Sequence, residues 1–273
     1  MKKLIVIADW AHDSLTCQEV GIAIEGNLKN AGCAKIGFIA SSPSTIHTGY
    51  LLAQITQVEE RYGQPLNAVF FVNTDPRIQT KDAVKDARGA ELIVAKLFTG
   101  LYVFGPNAGF NFSLIKNKIE ELFTYEKIGH GSQFRSRDLY SRVAAHLMDN
   151  LTDELDLEEV SSNIIPVFQD HYVGHIDNYG NIKTTIKLSD LKGKHEFGEI
   201  LNVTMNGLEK KARFVNNLFG AEPGVLVIYP GSSGAKDDPF LEISIWRHFT
   251  EDKPTTGLHV FNFPKPGMRV KLT

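Results

Sequence analysis

Acidic, amide and hydroxyl side chains recur at the ends of the most apolar runs of this sequence. "LIVIAD" closes on Asp9 and continues into "WAHDS", adding His12, Asp13 and Ser14. "AVFFVNTD" closes on Asn73, Thr74 and Asp75, and "LYVFGPNAGF" offers Asn107. A carboxylate at the end of a hydrophobic strand is costly unless it is paired or hydrogen-bonded. Close-spaced carboxylates such as Asp9 and Asp13 can accept hydrogen bonds from both hydroxyls of a ribose diol. With His12 they could instead ligate a metal, although "DxxHD" is no specific metal signature and no metal is expected. A plain structural use competes with both: Asp9, Asp13 or Ser14 capping the next helix, and Asp75, ahead of Pro76, shaping a turn.

A second concentration of charge lies in "GSQFRSRDLYSRVAAHL", Gly131 to Leu147. Arg135 cannot be a base, because a guanidinium stays protonated; it can neutralise Asp75 or hold a substrate carboxylate. Ser136 either caps the following helix or presents its hydroxyl and amide to an anion. Arg137 and Asp138 read as an ion pair bracing the turn.

These groups need elements to hold them. "LIVIA", "AKIGFIA" and "LNAVFFVN" read as buried strands, and "DSLTCQEVGIAIEGNLKNAG" and "TGYLLAQITQVEERYG" as the helices between them. Thr16 and Glu19 have capping-box spacing. "AELIVAKLFTG" and "LYVFGPNAGF" read as strands about a glycine turn. "SLIKNKIEELF" and "RDLYSRVAAHLM" read as helices, the latter with Leu139, Val143 and Leu147 at four-residue steps. This alternation predicts a layered α/β domain with a mostly parallel sheet over residues 1–160. An acidic connector, "NLTDELDLEEVSSN", follows. Beyond it, short strand candidates with turn signals, from "IIPVF" and "YVGHID" to "LHVFNF" and "MRVKLT", predict a smaller all-β, barrel-like domain over 161–273.

Composition narrows the function classes. A chain of 273 residues can bury roughly 70–75 % of its unfolded surface and needs no disulfide or metal to fold. Charged residues are 22 % of the chain, the net charge is -3, and no basic stripe points to nucleic acid. Cys17 and Cys33 make neither a CxxC site nor a disulfide framework. The apolar run before Asp9 is too short for a signal-peptide core, and no stretch approaches a membrane span. A soluble, cytoplasmic protein is expected, without membrane partners. GxGxxG, Walker A, HExxH and GxSxG patterns do not occur, which argues against dinucleotide, nucleoside-triphosphate, zinc-protease and classical esterase chemistry.

The order of these segments resembles the S-adenosyl-L-methionine hydroxide adenosyltransferases, a family related to fluorinase and chlorinase. "ADWAHDS" resembles the family's "TDFGxxD", "NTDPRIQTKDA" its "VDPGVGTxRR", and "PNAG" its "PDNG". "QFRSRDLYSRVAAHLM" resembles "TFHGRDxFxPxAAHLA", the strongest local match, and "IDNYGNIKTT" resembles "IDxFGNxxTN". "FLEISIWRHF" resembles the strand whose arginine helps hold adenosine, which would make that residue Arg247. The resemblance spans nearly the whole chain and implies an α/β domain followed by a β-barrel. It implies substitution at the sugar 5'-carbon of S-adenosylmethionine, with no separate cofactor, in a homotrimer with intersubunit sites. The family's water-activating aspartate falls on Asp75, its arginine on Asp82 and its histidine on Arg135, so two of three partners differ. Ser136 is placed like the fluorinase serine that contacts halide. Asn181 would pair with a purine edge, Tyr179 would stack, and Asp177 would take the amino group of the methionine portion; turn chemistry alone is the other reading of this Gly180-containing loop. Three functions follow as expectations: S-adenosyl-L-methionine hydrolysis to adenosine and L-methionine, non-catalytic binding or sensing of an adenosine compound, and a metal-dependent hydrolase using Asp9, His12, Asp13 and Asp75.

Overall fold

A computed structural model describes residues 2–30, 34–76, 89–125, 132–247 and 255–273. The chain divides into two compact units, Met1–Val167 and Phe168–Thr273, against an expected boundary after residue 160.

In the first unit, strand β1 (Lys2–Ala8) lies between β2 (Ala34–Ala40) and β3 (Ala68–Asn73), parallel to both. Beyond β3 come β5 (Tyr102–Pro106), β4 (Leu92–Leu97), β6 (Ile119–Thr124) and β7 (Glu158–Glu159), giving the order β2-β1-β3-β5-β4-β6-β7. Both faces of the sheet are covered, which is why residues 4–8 of β1 and 68–72 of β3 are continuously apolar rather than alternating. Leu4, Val6 and Ala8 pack into one core with Val20 and Ile24 of helix α1 (Ser14–Asn27) and Val143 and Leu147 of α3 (Ser141–Asp149). Ile7 and Phe70 face the opposite core, with Leu52 of α2 (Thr45–Tyr62).

Several expectations need correction. The sheet is mixed rather than mostly parallel: the β3–β5 pairing is parallel, but β4 pairs antiparallel with β5 and β6, and β6 with β7. "SLIKNKIEELF" is a 3-10 turn (Ser113–Lys118) followed by strand β6, not a helix. Leu122 and Thr124 of β6 are buried two residues apart, and pairing with β4 overrides the helix propensity of the two glutamates. The N-cap of α1 is Asp13, three residues before Thr16, and the helix ends at Asn27. Helix α3 does form where the four-residue steps predict it, entered through a π turn at Ser136–Tyr140.

The strands of the second unit are β8 (His171–Ile176), β9 (Ile182–Lys187), β10 (Ile200–Met205), β11 (Leu208–Phe214), β12 (Leu226–Gly234), β13 (Pro239–Ile245) and β14 (Arg269–Leu272). They close into a barrel in the order β10-β11-β12-β13-β9-β8-β14. Val173, Ile182, Val203, Ile228, Leu241 and Ile243 pack together in the core of this unit. "IIPVF" is not a strand, and "LHVFNF" begins as a short helix (Gly257–Val260) that delivers the fully buried Phe261 to the same core. His175, Lys183, Glu242 and Tyr229 occupy one cross-strand row through β8, β9, β13 and β12. Within it the Glu242 carboxylate is buried and accepts from Lys183 Nζ at 2.6 Å, Tyr229 Oη at 3.1 Å and the Ser232 amide at 3.0 Å.

Candidate functional site

Strand order reverses at β1. The chain passes from β1 to β2 on one side and returns through α2 to β3 on the other, so a crevice opens beyond the carboxyl ends of β1 and β3. Ala8 is in register with Asn73, which puts Asp9 and the Asn73–Thr74–Asp75 segment at the two lips of that crevice. Asp9 is half-buried. Loss of water pushes its carboxyl above the ordinary value of 3.8, and the neighbouring Asp75 charge pushes the same way, against the amides of Trp10 and Asp9 itself.

Asp75 accepts a hydrogen bond from the Ala90 amide at 2.9 Å. The adjoining Gly89 has no side chain, and the space is used: a Cβ there would stand 2.6 Å from Asp75 Oδ2 and would also overlap Arg135 Nη1. Carboxylate and guanidinium therefore converge on one glycine. Arg135 lies over the ring of Tyr140, 5.0 Å from its centroid. Tyr140 is buried edge-on to Phe71 of β3, and burial raises its hydroxyl pKa. A planar cation over an aromatic face keeps its charge while losing little freedom.

Ser136 is 1 % exposed and caps no helix; its hydroxyl accepts from Asn73 Nδ2, tying the π turn to the end of β3. Asp138 pairs with Arg137 at 2.7 Å on the surface, as the sequence suggests. On the other side of the sheet end, Ser41, Thr48 and Thr74 are fully buried and hydrogen-bond to one another at 2.7 to 3.1 Å.

The structure does not bring every candidate to this crevice. Asp13 caps α1, accepting from the Leu15 and Thr16 amides and the Thr16 hydroxyl, and that hydroxyl above all holds its pKa below the ordinary value. Ser14 is the exposed first residue of the same helix. His12 Nε2 meets the Ser41 carbonyl at 3.2 Å. Among the described residues, no three His, Cys, Asp or Glu side chains come together as a metal site, so Asp9, His12, Asp13 and Asp75 do not form one. Asn107 gives its amide nitrogen to the Ile164 carbonyl at 3.1 Å and leaves a buried Oδ1 without a partner. Asp82 and Cys33 lie outside the described residues.

In the second unit, Asp177 anchors the β8–β9 hairpin. Its Oδ1 accepts the Tyr179 and Asn181 amides at 2.9 and 3.0 Å, and its Oδ2 accepts Asn181 Nδ2 at 2.9 Å. The Ser244 hydroxyl donates to Asn181 Oδ1. Both ends of the Asn181 amide are thus engaged within the unit, while the Tyr179 ring is 81 % exposed. Arg247 follows β13 by two residues. Sequence reasoning missed Gly89, Ala90, Asn111 and Tyr140; of these only Tyr140 carried a signal, one residue beyond Leu139 in the periodic run.

A (R)-S-adenosyl-L-methionine hydrolase of Methanocaldococcus jannaschii is 31 % identical to this chain over 165 residues. Over that aligned segment, this chain is similar in sequence to an S-adenosyl-L-methionine hydrolase. The alignment takes in 56 % of this chain and 57 % of the relative, so the match spans little more than half the length of either. No protein-family model matches the sequence. The fold is shared with an uncharacterized conserved protein of Thermotoga maritima, at TM-score 0.71 and 20 % identity over 98 % of this chain and 99 % of that one. It is also shared with a conserved hypothetical protein of Thermus thermophilus, at TM-score 0.64 and 20 % identity over the full length of both. Among the described residues no helix is long and apolar enough to cross a membrane.

Proposed function

We propose that the chain is a cytoplasmic enzyme that hydrolyses S-adenosyl-L-methionine to adenosine and L-methionine by substitution at the sugar 5'-carbon, with no separate cofactor. The supporting observation is the meeting of Asp75 with Arg135 at Gly89, beside Asp9, at the carboxyl ends of β1 and β3. A sulfonium is already activated for departure, so the protein's task is to align water behind the carbon and exclude bulk solvent. In this reading Asp75 orients that water and favours the developing positive charge. Arg135 fixes the carboxylate, Asp9 binds the ribose, and Ser136 holds the strand end through Asn73. Asp177, Tyr179, Asn181 and Arg247 remain the proposed adenosine and methionine contacts, as the resemblance implies. So does a homotrimer with intersubunit sites, which light scattering would test.

Incubation with each sulfonium epimer of S-adenosylmethionine, followed by chromatography, should release adenosine and methionine in equal amounts, and Asp75→Asn should remove most of that activity. A protein that binds the compound by calorimetry yet leaves it intact would refute the hydrolase reading. That outcome would favour the second reading, an adenosine-compound sensor, for which the guanidinium converging with Asp75 at Gly89 is the specific support: it occupies the carboxylate that would otherwise face water.

A further inference from the structure

We propose that Asn111 is a positioning residue for Asp75, acting through the Thr74 carbonyl; this deepens the reading of the β1–β3 crevice as the active site and rests on it. The regular β3–β5 pairing is confined to Val69–Phe71 against Tyr102–Phe104. Past that point the strands part, and Gly105, at φ +153, leaves its Cβ position against the Val72 carbonyl. The carboxamide of Asn111 fills the gap. Its Nδ2 donates to Thr74 O at 2.9 Å and to Pro106 O at 3.1 Å, bridging one carbonyl just past β3 and one at the end of β5.

Both protons of that nitrogen are used, which also fixes the orientation of the amide: turned over, it would set an oxygen against two carbonyl oxygens. Asn111 itself is held. It is 1 % exposed, and its backbone lies on α2 where Gly49 leaves room: a Cβ at that glycine would stand 2.5 Å from Phe110 O and 3.1 Å from Asn111 O. Thr74 is thus fixed twice, by its side chain in the buried hydroxyl cluster and by its carbonyl on Asn111. Asp75 is the next residue, and its direction of departure follows from that fixed point. Asn111 Oδ1 is buried without a partner, so the residue sits there for its two donors and not for a saturated network.

Amide hydrogen exchange on the full-length chain tests this without substrate. In Asn111→Ala the Ala90 amide, which reports the Asp75 contact directly, is expected to lose at least ~10-fold of its protection, while Phe70 in the body of β3 keeps its own. Unchanged Ala90 protection overturns the proposal, as does an Ala90 amide already unprotected in the parent. Should Asn111→Ala fail to fold, Asn111→Ser carries the same measurement, and loss of the fold in both variants would make the residue structural and overturn a positioning role. Turnover provides the second readout: adenosine release should fall about 100-fold in kcat with KM within about threefold. The same substitution should add nothing in an Asp75→Asn background. A parent chain that never releases adenosine refutes the hydrolase reading, whereas the exchange result still decides the role of Asn111.

Discussion

Substitution of Gly89 by alanine separates the two charges of the crevice without touching either of them. The added methyl would stand 2.6 Å from Asp75 Oδ2, where ordinary contact begins at 3.4 Å, and would overlap Arg135 Nη1. Gly89 has no positive φ, so alanine brings no backbone strain, and loss of glycine's freedom in the unfolded chain stabilises by about 0.4–1 kcal/mol. The clash falls on side-chain ends, which can move. If the charges part from roughly 4.5 to roughly 6.5 Å at an effective dielectric near 20, the attraction drops by about 1 kcal/mol. Displacing the Asp75 carboxylate by about 1 Å costs more, on the order of 100-fold in rate. Gly89→Ala is therefore expected to lower kcat for adenosine release by about 10- to 100-fold. The two stability terms nearly cancel, so its Tm should stay close to the parent's, and binding of S-adenosylmethionine should stay within about threefold. Turnover at the parent rate, or a lowered Tm with turnover preserved, would refute the placement of Asp75 and Arg135 about this glycine.

Asp9 and Asp13, four residues apart, should respond to pH with opposite signs. Asp9 is held above its ordinary value of 3.8, so the folded state binds its proton more tightly, and its contribution to stability falls as pH rises from that value through the folded one. Asp9→Asn should accordingly raise Tm at pH 7 and leave it unchanged near pH 3. Asp13 is held below its ordinary value, so its capping contribution is present above 3.8 and is lost as pH falls through the folded value. Asp13→Ala should lower Tm at pH 7 with a deficit that shrinks on acidification; thermal melts across pH 2.5–7 separate the two, the range being chosen to span roughly one unit either side of the carboxylate titrations. In the barrel, Lys183→Met leaves the buried Glu242 with the neutral donors Tyr229 and Ser232 and should cost about 3 kcal/mol by urea unfolding. Adding Glu242→Leu should recover at least half of that loss, and a double variant no more stable than the single one would contradict the assignment of the cost to an unpaired charge.

The sequence carried those parts of the fold that burial dictates. Apolar runs such as "LIVIA" and "AVFFV" must lie in a sheet covered on both faces, and their polar last residues must emerge at its edge. The four-residue steps from Leu139 to Leu147 placed α3. Legibility ended where tertiary pairing decided the outcome. "IEELF" has the composition of a helix and becomes a strand because β4 offers it a ladder. Ser136 has the type of a helix cap but is drawn inward by Asn73. Gly89 stands in a polar stretch where a glycine reads as an ordinary loop residue, and its role depends on two side chains far along the chain. Asn111, between two phenylalanines, belongs to no motif; only the parting of β3 and β5 gives it work.

The buried cluster of Ser41, Thr48 and Thr74 has a consequence for which sequences this fold tolerates. Three hydroxyls hold three protons and make three contacts, so the ring closes on itself with every proton used and every oxygen accepting once. Valine at one position would break two of the three contacts and leave one proton without an acceptor in a dry interior, whereas apolar residues at all three would leave nothing stranded. Positions 41, 48 and 74 should therefore drift together or not at all, although one follows β2, one lies on α2 and one follows β3.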